Sequence, residues 1–78
     1  MNATEKAVAI SIFNDLHARA TNIQDHADRK LFGDKAAEED AARAKGLRTA
    51  LQYMAEHIYS EYDFDVERAA KAAREGKG

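Results

Sequence analysis

Apolar residues recur every three or four positions from the beginning of the chain to about residue 32. At about 100° per residue they form one stripe of a helix, with Ala9 and Phe13 beside it. Asn2 followed three positions later by Glu5 is typical of a capping box at a helix start. Because nothing after it breaks a helix, the pattern predicts a first helix over about 3–32. The stripe comprises Val8, Ile12, Leu16, Ala20, Ile23, Ala27 and Leu31.

Two residues interrupt this periodicity, and a second helical pattern follows them. Gly33 suits the left-handed position that ends a helix, and Asp34 suits the N-cap of the next one. We therefore predict a turn at 33–34, a second helix over about 35–62 and a third over about 64–75. Asp63 or Asp65 is the expected cap of the third helix. The second stripe comprises Ala37, Ala41, Ala44, Leu47, Leu51, Met54, Ile58 and Tyr62.

A two-residue link between long helices predicts an antiparallel helical hairpin. The predicted fold is all-α: residues 1–78 form a single domain, with the hairpin followed by a short C-terminal helix. Facing residues of the hairpin should have numbers that sum to roughly 67. Val8 to Leu16 should therefore face Leu51 to Tyr59, while the half near the turn contains mostly alanine.

The expected core is thin for an independent domain. Of the 35 hydrophobic residues 17 are alanine, and the apolar arc on the second helix spans about 180°, more than one partner helix hides. This favours a homodimer, in which two hairpins form a dimeric helical bundle. A three-helix monomer and an obligate complex with another protein are the alternatives.

Composition narrows the classes of function. The chain has no cysteine, its net charge is about −2, and acidic and basic residues are interspersed. This balance argues against strong attraction to DNA or acidic membranes. The longest apolar run, residues 7–13, is too short to span a bilayer, and no secretory leader is evident, so we expect a cytoplasmic location.

No group of residues predicts catalysis or a cofactor. His17, His26 and His57 should not converge in one hairpin, so we expect no metal site. Helical serines such as Ser11 lack the exposed, strained turn of a nucleophile, and the carboxylates are better read as caps and solubilising charges. The four glycines are isolated, so no phosphate loop is present. The sequence predicts a protein that is not an enzyme and needs no cofactor.

Five residues are the predicted contacts with a protein partner. Ile10 and Phe32 lie outside the first stripe, and Tyr53 lies nearly opposite the core face of the second helix, on the side of His57. Tyr59 adds a further phenol near the same end. Exposed aromatic residues are favoured anchors at interfaces. For Ile10 and Phe32 the alternative is contact with the third helix or the turn, and for Tyr53 an isolated surface position.

These features favour a small interaction protein that regulates or inhibits a larger, unidentified protein stoichiometrically. Many short phage- or mobile-element-encoded proteins, including inhibitors of host defence, share this general class. The alternative is a nucleic-acid-associated regulator that uses the basic residues Arg43, Lys45 and Arg48. Ala42 and Gly46 fit a helix-turn-helix spacing, but Gln52 stands where that motif needs an aliphatic residue.

Overall fold

The computed structural model describes residues 1–76, and their fold is all-α, as predicted. Helix α1 spans Ala3–Arg29 and helix α2 spans Asp34–Tyr53. A π-helical segment, Met54–Ile58, and a 3₁₀ segment, Tyr59–Tyr62, continue α2. Helix α3 spans Val66–Arg74.

Helix α1 begins as its sequence predicts but ends earlier. The Asn2 side chain accepts a bond of 2.8 Å from the Glu5 amide, and the Glu5 carboxylate accepts one of 3.1 Å from the Asn2 amide. The helix stops at Arg29, three residues before the predicted end, because Lys30 adopts a left-handed conformation with φ of 50°. The next residues, Leu31 and Phe32, are exposed, so burial does not favour continuing the helix over them.

Neither Gly33 nor Asp34 has the role that the sequence predicted for it, and Lys30 takes the left-handed position expected of Gly33. Gly33, with φ of +93°, is the N-cap of α2, and Asp34 is the first helical residue. Its carboxylate still lies at the positive end of the helix dipole, where it is favourable, and it pairs with Lys30 at 3.3 Å. The tight link therefore comprises residues 30–33, and the two helices still form a hairpin.

The second helix is not α-helical to residue 62. A π turn takes more residues per revolution than an α turn. Each residue after Tyr53 therefore lies at a smaller angle around the helix axis than it would in a regular α-helix. Tyr59 is thereby brought toward the side of Leu51 and packs against the core, while Ile58 and Tyr62 become exposed. This explains why the last two residues of the predicted second stripe lie outside the core.

The bulky core lies at the end of the hairpin away from the turn, as predicted. Phe13, Leu51, Val66 and Ala70 form one buried cluster, so all three α-helices contribute to it. Phe13 and Leu51 have numbers that sum to 64, close to the predicted 67. Toward the turn the buried residues are alanines, namely Ala20, Ala27 and Ala44.

The core face of α1 is rotated from the predicted stripe. Ala9 and Phe13 are buried, whereas Val8 and Ile12, both predicted to face the core, are 53% and 48% exposed. The reason is α3, which packs on the other flank of α1 and draws the centre of the core toward itself. Asn14 fixes this contact, because its side chain donates to the Ala70 carbonyl at 3.1 Å and accepts from Arg74 at 2.6 Å.

Helix α3 is capped by Asp65, one of the two predicted caps. Its carboxylate accepts a bond of 3.1 Å from the Arg68 amide. Phe64, just before this cap, packs edge-to-face on Tyr59 with ring centroids 6.0 Å apart. The Lys6 ammonium lies 5.5 Å from the centroid of the Phe64 ring. These contacts cover the core on the α3 side, at the end of the hairpin away from the turn.

Candidate interaction surfaces

The hairpin has one flank that α3 does not cover. Helix α3 contacts α1 near Asn14, with Ile10 packed against the shared core. At about 100° per residue, Ile12 lies about 160° around α1 from Ile10, on the opposite flank. We call this flank the uncovered face. It comprises exposed Val8, Ile12 and Ile58 and half-buried Leu16, Ile23, Leu47 and Met54.

A shallow hollow lies at one end of the uncovered face. Its volume is about 270 Å³, and its walls are almost entirely apolar. It is large enough to accept an aliphatic side chain from another molecule. The lining residues are Met1, Thr4, Glu5, Val8, Ala9, Ile12 and Tyr59.

A second exposed surface, the Tyr53–His57 pair, lies where α2 gives way to the π segment. The two rings lie one turn apart with centroids 4.8 Å apart and an interplanar angle of 40°. Tyr53 is 59% exposed, and His57 is exposed too. Glu56 lies beside them, with its carboxylate 4.0 Å from the His57 Nε2 atom. The two tilted rings thus form one exposed aromatic projection.

The other three predicted contact residues lie elsewhere. Ile10 and Tyr59 are half-buried, and each packs on one side against the core cluster. Phe32 is 70% exposed but lies in the link between α1 and α2, edge-on to His26 at 5.9 Å. The five residues therefore do not form one surface, and only Tyr53 and His57 lie together.

The three basic residues of the nucleic-acid alternative do not share one side of α2. Counted at about 100° per residue, Lys45 lies about 160° from Arg43, and Arg48 lies about 140° from it. Arg43 pairs with Asp40 at 3.5 Å, and Arg48 donates to the Gln24 side chain at 3.0 Å. A groove that follows a phosphate backbone needs a continuous basic stripe. This arrangement does not provide one.

An open groove of about 440 Å³ separates α2 from α3. Phe13 and Leu51 form its apolar floor, Arg48 and Glu56 line it on the side of α2 and the π segment, and Glu67, Lys71 and Arg74 line it on the α3 side. His17 also lines the groove. Burial, and then the positive charge of Arg74, lower the pKa of His17 below its usual value. The imidazole is therefore held in its neutral form near neutral pH.

We expect the free energy of unfolding to fall as the pH is lowered from 7.5 to 5.5, with His17 contributing to this fall. The folded state protonates His17 less readily than the unfolded state does, so stability rises with pH in this window and is lost as pH falls through 6.5. Urea unfolding at the two pH values measures the effect. His17→Gln should reduce the pH dependence. An unchanged slope in His17→Gln would contradict the assignment.

Residues 1–76 contain no metal cluster and no membrane-spanning helix. No group of three or more potential metal-ligating side chains occurs in this part of the chain. None of the described helices combines the length and the apolarity needed to cross a bilayer. Comparison of the chain with protein-family models, curated proteins and solved structures found no match.

The sequence reasoning missed the uncovered face because it assigned Val8 and Ile12 to the core. A signal was present in α1. Its apolar positions from Val8 through Phe13 to Ile10 span an arc of about 200°, more than α2 alone can cover. Two flanks of α1 therefore needed partners, and only one of them is occupied by α3.

Proposed function

We propose that this chain is a small cytosolic interaction module that binds a larger protein stoichiometrically and thereby regulates or inhibits it. The proposed contact is the Tyr53–His57 pair. A source in a phage or mobile element remains a prediction from the general class of the sequence.

One observation carries the proposal: two aromatic rings stack on each other in solvent and contribute nothing to the core. The pair projects from the flank of α2 about 160° from the buried Leu51. Single exposed aromatic residues are ordinary on protein surfaces. Two rings 4.8 Å apart have already lost side-chain freedom, so binding orders them at a smaller entropic cost.

The chemistry of the pair defines the surface it would fit. A tyrosine anchor places its ring in an apolar pocket and its hydroxyl against a polar group at the rim. His57 and Glu56 supply a donor and an acceptor beside that anchor. We therefore expect the larger protein to offer an apolar pocket with a polar rim, occupied by Tyr53.

Replacing the anchor should separate binding from folding. We expect Tyr53→Ala to change the free energy of unfolding by no more than about 0.5 kcal/mol, because the side chain is exposed. The same change should reduce capture of the larger protein at least about tenfold, as at an interface hot spot. Quantitative affinity capture from cells of the source organism, with urea unfolding of the same variants, measures both effects.

Tyr62→Ala is the matched control, since it removes a similarly exposed tyrosine from the segment that follows. The Tyr62→Ala variant should capture the same proteins as the wild type. Equal capture by Tyr53→Ala and the wild type would contradict the proposed contact. A loss of several kcal/mol of stability in Tyr53→Ala would instead place Tyr53 in the fold.

A further inference from the structure

We propose that the uncovered face binds a second copy of this chain, with the two α1 helices antiparallel and a two-fold axis at Ile12. The surface differs from the Tyr53–His57 pair, so the proposal is independent of the proposed function. It rests on the order of residues along α1, on their exposure and on the hollow beside them.

One row of α1 runs along the uncovered face at helical spacing. Its members lie within about 40° of Ile12 around the helix. They are separated by three, four, four and three positions, the alternation of a helix–helix seam. The row comprises Glu5, Val8, Ile12, Leu16 and Arg19.

The residue types in this row are arranged symmetrically about Ile12, with an aliphatic residue and then a charged residue on each side. In an antiparallel pair centred on Ile12, facing residues have numbers that sum to 24. Val8 then faces Leu16 of the second copy. Glu5 faces Arg19, so the one charged pair in the row is of opposite sign and occurs twice. An isologous interface requires such self-complementarity.

The hollow on the uncovered face lies where this register places a side chain. Glu5, Val8, Ala9 and Ile12 form its α1 wall. The residue opposite Val8 is Leu16 of the second copy, which would insert among these four positions as a knob enters a hole. Its volume of about 270 Å³ admits such a side chain. By symmetry the contact occurs at both ends of the seam.

Charge within one chain does not prevent this pairing. Arg19 lies 3.7 Å from Asp15, but both side chains are about two-thirds exposed. A pair this exposed stabilises the chain little, so Arg19 can turn to another carboxylate. Glu5 uses its Oε1 atom in the capping box and has a second carboxylate oxygen for Arg19 of the second copy.

The register can be tested by crosslinking, because the natural chain has no cysteine. Ile12→Cys should form a disulfide-linked dimer under mild oxidation, since its two copies meet on the axis. Val8→Cys alone should not, because its copies lie about 12 Å apart along the helices. Mixing Val8→Cys with Leu16→Cys should restore crosslinking. Crosslinking of Val8→Cys alone in preference to Ile12→Cys would overturn the register.

Charge exchange tests the pairing in the full chain without a crosslink. Sedimentation equilibrium should give a mass of twice 8.7 kDa for the wild type at micromolar concentrations. Arg19→Glu and Glu5→Lys should each weaken the dimer at least about tenfold at low salt, because each places like charges opposite each other twice. An equimolar mixture of the two variants should recover dimers, since both charged pairs across the mixed interface are then of opposite sign.

Arg29→Glu is the matched control. It makes the same charge change and breaks the same kind of pair, Asp25–Arg29 at 3.0 Å, outside the row. This variant should dimerise like the wild type. A wild-type monomer at 100 μM, or a dimer unaffected by Arg19→Glu, would overturn the proposal, and another protein's helix or a lipid surface would then be the occupant. Tyr53→Ala should still dimerise, so failure of the proposed function is measured separately.

Discussion

Phe13→Ala should cost about 3–5 kcal/mol of stability, the largest effect of any single truncation that we expect in this chain. Phe13 is the only phenylalanine in the buried cluster of the described residues, and it contacts the core between α1, α2 and α3. Its removal leaves a cavity among Leu51, Val66 and Ala70, which relax only partly to fill it. Because small domains are only marginally stable, a loss of this size should leave much of the chain unfolded at 25 °C.

Urea unfolding followed by circular dichroism measures this loss. All variants must be compared at one protein concentration, because self-association would make stability concentration-dependent. Phe32→Ala is the control, since it removes the same ring from an exposed position. It should change stability by no more than about 0.5 kcal/mol. Equal effects of the two substitutions would contradict the described core.

Val66→Asp should cost about 3 kcal/mol and detach α3 from the hairpin. Val66 is almost fully buried in the cluster with Phe13 and Leu51. A carboxylate at this position loses the apolar burial and has no cation among its core neighbours, so its desolvation is not compensated. The Asn14–Ala70 hydrogen bond should be lost together with the docking of α3.

Hydrogen exchange resolved by residue measures this detachment. The amides of α3 should lose protection in Val66→Asp, and the Asn14 side-chain resonances should shift. Ala73→Asp introduces the same charge on the exposed side of the same helix, so it controls for helix propensity and net charge. Retained α3 protection in Val66→Asp would mean that this helix is not held by the core.

The sequence was sufficient to predict the hairpin and the N-caps Asn2 and Asp65 because these depend on local chemistry. Gly33 supplies a positive φ that few other residues adopt readily, and this fixes the reversal of the chain. The capping bonds of Asn2 and Asp65 join residues only three positions apart. Local signals of this kind do not depend on which other elements pack against these residues.

The end of α1 and the course of α2 beyond Tyr53 could not be predicted from periodicity. The sequence does not show that Lys30 accepts the left-handed position, since periodicity continues through Leu31. The π segment arises where Tyr59 must reach the core beside Phe64, and no residue in Met54–Ile58 breaks an α-helix by itself. In the π segment a long-range contact overrides local preference.

The exposure of a candidate surface residue was predictable where helical spacing alone determines it. Tyr53 and His57 are four positions apart and far from Leu51 around α2, so their exposure followed from the sequence. Ile10 and Tyr59 are half-buried because they pack against the core cluster, a contact that depends on α3 and the π segment. The outward position of Val8 and Ile12 required knowledge of the flank on which α3 packs.

The buried side chains are large at one end of the hairpin and are alanines at the other, and this difference has a consequence for how the chain folds. Contacts next to the turn close a short loop at small entropic cost, but Ala27 and its alanine neighbours gain little from meeting. The large gain comes when Phe13 reaches Leu51 and Ala70, which are 38 and 57 positions away by subtraction of their numbers. Helical segments alone should therefore be short-lived, and assembly should be slower than is usual for small helical proteins but sharply cooperative.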